Sequence, residues 1–191
     1  MLSEGNNINT QGKNVQLDNS ELARTSFWVS QVFMIIATVA GVYLAGKEGL
    51  NQAITFDNLS NMQSNYYLRH SLHDEVSDNV ATLLEYVKTT RENRPPDLKR
   101  VHPKLADFVW GAMKYSPTTL ETPSELLSPI RQFYLKVDSL LERLEARHIL
   151  RSKGLDELEA LCLQMQNEVL PQLKNNYQGL AAELKRSNID V

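Results

Sequence analysis

The sequence predicts an all-α protein: a single N-terminal transmembrane helix followed by a small antiparallel helical bundle built around a long helical hairpin. Three observations predict it. An uncharged apolar run lies between Arg24 and Lys47. Beyond it, apolar residues recur at spacings of three and four, the period of a helix with one buried face. Glycine and proline are sparse, 8 and 7 of 191 residues, too few for the many turns of a sandwich or barrel.

Taken in order, residues 1 to 24 read as a disordered polar tail, rich in asparagine, serine and glutamine and without apolar periodicity. Asp18, Asn19 or Ser20 can cap the helix that follows. Residues 25 to 46 are the predicted transmembrane helix. At about 1.5 Å of rise per residue, the run can cross a hydrocarbon core of roughly 30 Å. Trp28 and Tyr43 stand near its two ends, where amphipathic rings favour the headgroup level. Ser30, Gln31 and Thr38 are its polar exceptions. A soluble core helix of this length should carry a polar face, and a cleaved signal peptide should begin nearer residue 1 with a basic start. Both fit less well than a retained anchor. Ala37, Gly41 and Ala45 recur every four residues, so one face is small enough for a second transmembrane helix to approach closely.

Orientation follows the count of bases. Lys13 and Arg24 precede the run and Lys47 alone follows it closely, which favours a cytoplasmic N-terminus and an extracytoplasmic C-terminal domain.

Residues 47 to 94 are predicted as a long juxtamembrane helix. Its stripe begins thinly at Leu50, Ile54, Leu59, Met62 and Tyr66, then strengthens at Leu72, Val76, Val80, Leu83 and Val87. A break is allowed between Asp57 and Asn65, where asparagine and serine cluster. Pro95-Pro96 ends the segment.

Residues 95 to 191 are predicted as the helical bundle, packed on the end of that helix. A short helix is expected over Lys104 to Tyr115, with Leu105, Phe108, Val109 and Ala112 inward and Trp110 on another side. Ser124 is expected to cap the next helix, with Pro129 near its first turn. Leu126, Ile130, Phe133, Val137, Leu140 and Leu144 form the clearest seam in the chain. Lys153-Gly154 reads as the turn, with Gly154 as a C-cap. Leu155, Leu158, Cys162, Met165 and Val169 then form a facing stripe, which Pro171 should kink before Leu173, Tyr177, Leu180 and Leu184 resume it.

Few residues promise chemistry. There is no glycine-rich phosphate loop, no CxxC pair and no nucleophile elbow. Arg69 to Glu75 is the densest polar cluster. On a helix His70, His73 and Asp74 converge on one face, and imidazole with carboxylate suits a divalent transition metal. The plainer reading is a solvated face, with both histidines exposed. Glu145 and His148 match a Glu-x-x-His metal spacing, but bundle carboxylate sites need two such motifs, and the flanking Glu142, Arg143 and Arg147 look like surface charge pairs. Lys88, Arg91, Arg94, Lys99, Arg100 and Lys104 form a basic zone around the proline pair, without the aromatics that stack on bases. Cys162, the lone cysteine, lies on an apolar stripe and reads as a small buried hydrophobe. The net charge of −3 gives no field toward nucleic acid.

These features imply a membrane-anchored interaction or scaffold module, not an enzyme, with no cofactor. Its expected partners are the lipid bilayer and a protein or a second copy of itself, and no nucleic acid. A membrane-tethered ligand-sensing or metal-binding bundle is the alternative.

Overall fold

In a computed structural model the chain is described over residues 25–113, 115–116 and 119–191. The expected tail over 1 to 24, its candidate caps, Lys13 and Arg24 lie outside the described residues. The order is α1 (Thr25–Asn93), a 3-10 turn (Leu98–Val101), α2 (Phe108–Met113), α3 (Ser124–Glu145), α4 (Arg151–Gln164), a π turn (Met165–Val169) and α5 (Leu170–Arg186). No strand occurs among the described residues. The chain divides into two compact units, Met1–Ala53 and Ile54–Val191.

In the first unit, α1 holds the apolar run in one helix long and apolar enough to cross a membrane. Its large apolar side chains are exposed, from Trp28 through Phe33, Ile36 and Val39 to Leu44. Thr38 donates its hydroxyl to the Met34 carbonyl at 2.8 Å, so this polar exception is satisfied within its own helix. α1 continues as helix through Asp57 to Asn65, without the break those residues allow.

The second unit is organised by the apolar stripes. Leu72, Val76, Val80, Leu83 and Val87 of α1 share one core with the seam of α3 from Leu126 to Leu144. Leu155, Leu158 and Cys162 of α4, Met165 and Val169 of the π turn, and Leu173 of α5 complete it. Burying each large aliphatic or aromatic side chain contributes roughly 1.5–3 kcal/mol. A second cluster joins Tyr66 to Tyr177 and Leu184, with Leu59, Met62 and Ile189 against it. Leu50 and Ile54, at the thin start of the expected stripe, stay exposed.

Several local expectations change. Gly154 lies inside α4 rather than capping a helix. A Cβ there would stand 2.5 Å from Leu144 Cδ2, so the glycine permits close approach of α3 and α4. The turn runs instead through Ala146 to Leu150, and Arg147 supplies the left-handed cap at φ 58°. The His148 N–H then closes on the Arg143 carbonyl at 2.9 Å, a Schellman arrangement. Ser124 is the first residue of α3, with Pro123 at the cap position and no side-chain cap bond. Pro171 does not break its helix. Just before it, Met165–Val169 widen into a π turn closed by Leu170 N–H on the Met165 carbonyl, which accommodates a residue that has no N–H to give.

α2 is shorter than expected, beginning at Phe108 rather than Lys104, and is turned differently. Val109, Trp110 and Met113 pack on the core, while Phe108 is 84% exposed. The cause is a side chain of α1 that fixes the first turn.

Candidate functional site

That side chain is Glu75, buried on α1. Its carboxylate accepts the Val109 N–H at 2.6 Å and the Trp110 N–H at 3.0 Å. A helix leaves its first N–H groups without internal partners, so a carboxylate reaching over from α1 caps α2 in place of a local residue. One turn further, Asn79 bonds both sides of Ala106. It donates to the carbonyl at 2.6 Å and accepts the N–H at 2.8 Å. Tyr134 of α3 closes the network. Its hydroxyl donates to Glu75 at 3.1 Å and accepts from Asn79 at 3.0 Å. Burial first, and then the Glu75 carboxylate, raises the Tyr134 phenol above its ordinary range. Three buried polar side chains thus satisfy one another and the backbone between residues 106 and 110.

The network positions an aromatic floor. The Trp110 ring stacks on Tyr134 with centroids 5.4 Å apart and planes at 14°. Over this floor opens a cleft of about 820 Å³, also walled by Leu105, Leu135 and Leu141. Lys104, Asp107, Arg131 and Asp138 stand around it. His102 lies at its edge with Nδ1 2.5 Å from Glu145 Oε1. Trp110 and Arg131 also border a smaller cleft of about 360 Å³, where Leu120 is 92% exposed.

The residues singled out from sequence take other roles. His70 and His73 are not freely exposed. Their side chains are 40% and 18% accessible, and both rings lie on Tyr177 of α5. His70 stacks on that ring at 4.6 Å, and His73 meets it edge-on at 5.5 Å. Asp74 lies 3.6 Å from His70 and 3.1 Å from His73. The three do share a face, but among the described residues no group of three or more His, Cys, Asp or Glu is arranged to hold a metal ion. Glu145 is taken by His102 rather than His148. Arg147, expected in a surface charge pair, donates to the Pro96 carbonyl at 3.1 Å, and Arg151 donates to Pro95 at 2.8 Å. Within the basic zone, Arg91 is held by Asp156 and Glu159 at 2.6 and 2.7 Å. Cys162 is fully buried, and burial pushes its thiol up to about 12. Ala37, Gly41 and Ala45 lie in the exposed helix, and a Cβ added at Gly41 would meet open space.

A second polar node went unforeseen. Arg69 is buried on α1, and its guanidinium donates to Asn176 of α5 at 2.7 Å and to the Glu121 carbonyl at 2.9 Å. Asn65 accepts from it at 3.2 Å and itself donates to the Glu121 carboxylate. Burial lowers the Arg69 pKa, opposed by Glu121. These bonds tie the 119–122 segment and α5 to α1. Like Glu75 and Asn79, Arg69 sits on a stripe position where the sequence pattern asks for an apolar residue, and that mismatch is the one signal that could have marked it.

No protein-family model, curated protein or solved structure matches this chain.

Proposed function

We propose that this is a single-pass membrane protein whose second unit is a protein-interaction module. The unit is read as a small antiparallel bundle built on the hairpin of α3 with α4 and α5. The observation that carries the reading is apolar surface in two places. The helix from Phe27 to Ala45 exposes large apolar side chains all round, as a lipid-facing helix does. In the second unit Phe108, Tyr115 and Leu120 turn outward within one short stretch of chain. The reading takes these three as parts of one contact surface, since contiguous apolar area on a folded surface marks such sites.

The membrane helix is read as pairing with another through Ala37, Gly41 and Ala45, with the N-terminus cytoplasmic and the second unit outside. The reading includes no catalytic step, no cofactor and no nucleic acid. The ligand-sensing alternative draws support from the cleft over Trp110. Its metal-binding form draws on only two imidazoles and one carboxylate, and both rings already pack on Tyr177, His70 stacked and His73 edge-on.

In-cell crosslinking of the full chain tests the proposal. The chain should give a discrete product of higher mass, and Gly41→Leu or a Phe108→Ser, Leu120→Ser pair should reduce it several-fold. A chain that runs only as monomer, or a product indifferent to both changes, contradicts it.

A further inference from the structure

The cleft over Trp110 combines three properties. Its floor is rigid: the Trp110 backbone N–H is held by Glu75, and the Tyr134 hydroxyl is held between Glu75 and Asn79. Ligand sites built on groups locked by such second contacts lose less freedom on binding. Its size, about 820 Å³, falls in the upper part of the range of small-molecule sites, roughly 300–1,000 Å³. That is more room than one amino acid needs. Its rim carries both signs of charge. Lys104 and Arg131 supply two cations, and Asp107 and Asp138 two carboxylates. None of these four side chains makes a hydrogen bond or ion pair among the described residues, so they surround the opening without neutralising one another. The Trp110 indole N–H likewise donates to nothing among the described residues.

We propose that this cleft binds a short zwitterionic peptide of two or three residues carrying an aromatic or aliphatic side chain. The apolar side chain lies on the Trp110–Tyr134 floor, where stacking and area burial supply affinity. The peptide carboxylate is taken by Arg131 and Lys104, since a guanidinium matches a carboxylate in two parallel bonds. The peptide ammonium is taken by Asp107 and Asp138. The free indole N–H donates to a peptide carbonyl, a group that must otherwise give up its water unpaired. A purely anionic or purely cationic ligand would leave half of the rim facing an unmatched charge. The proposal stands apart from the membrane and protein-contact reading, and its test does not depend on either.

The test uses the full chain in detergent with Trp28→Phe, so that Trp110 alone reports by fluorescence. The probe is alanyl-phenylalanyl-alanine with free ends, alongside its N-acetylated, C-amidated and doubly capped forms. The free-ended peptide should shift Trp110 emission saturably, and capping either end should weaken binding about tenfold. Arg131→Ala should reduce the preference for a free carboxylate several-fold while keeping that for a free amine, and Asp138→Asn should do the reverse. Both side chains are exposed, so these changes leave the core intact. No saturable shift at millimolar peptide overturns the proposal. Equal binding of the doubly capped form also overturns it, since the charges would then have no part in recognition.

Discussion

Tyr134 shows how much of this molecule is decided by single polar side chains reaching across the chain. Its hydroxyl meets Glu75, 59 positions earlier, and Asn79, 55 positions earlier. No window of sequence contains such a pair, so the network escaped a reading built on spacing. The core positions around it did not: Phe133 and Val137 were evident because helical period alone puts them inward. The environment of Tyr134 has a measurable consequence. Folding raises its phenol above the ordinary 10.0, and raises Cys162 from 9.0 to about 12. Unfolding returns each to its ordinary value, so the unfolded chain loses these protons first. The stability they contribute is whole below those ordinary values and is lost as pH rises through the folded ones. Unfolding of the full chain in detergent should therefore become easier as pH climbs past 10. Tyr134→Phe should lower stability near neutrality by about 1 kcal/mol through the lost hydrogen bond, yet flatten the alkaline decline. An equally steep decline in the variant contradicts this assignment.

At the scale of elements, helices were legible and their ends were not. Stripes of three and four located α1, α3, α4 and α5 because each buries one face over many turns. Ends depend on a few backbone bonds, and three of them use non-glycine residues at positive φ: Arg94, Arg147 and Asn188. Gly154 looked like such an end because glycine usually marks one. Its place in the first turn of α4 under Leu144 was invisible until both helices were seen together. The start of α2 differs from the expected one for a related reason: its cap comes from Glu75 of α1, so local sequence carries no sign of where it begins. Gly154 of α4 and Gly179 of α5 give a matched test. Gly179 sits in α5 with open space where a Cβ would stand, so Gly179→Ala should stabilise by about 0.5–1 kcal/mol. Gly154→Ala puts a methyl 2.8 Å from Leu144 Cγ and should destabilise by about 1–3 kcal/mol despite the same gain in propensity. Urea unfolding checks both, and a stabilising Gly154→Ala would show that α3 and α4 do not approach as described.

For the whole molecule, two boundaries compete along α1. Charge returns at Lys47, and the sequence division between residues 46 and 47 follows it. Packing divides the chain later, between Ala53 and Ile54, and burial begins only around Leu59. The stretch between is helical, largely polar and exposed. Composition locates where lipid-like side chains stop, whereas tertiary contact decides where a folded unit starts, and only the first is written in the local sequence. The central claim concerns the apolar stretch before Lys47. Its large apolar side chains stand exposed among the described residues, and we assign them to a bilayer, the solvent that matches them. Extraction of membranes with alkaline carbonate tests this most directly, followed by blotting for the intact chain with its N-terminus in place. The intact chain should remain wholly in the membrane pellet and enter solution only with detergent. Recovery of the full-length chain in the aqueous supernatant would contradict the account.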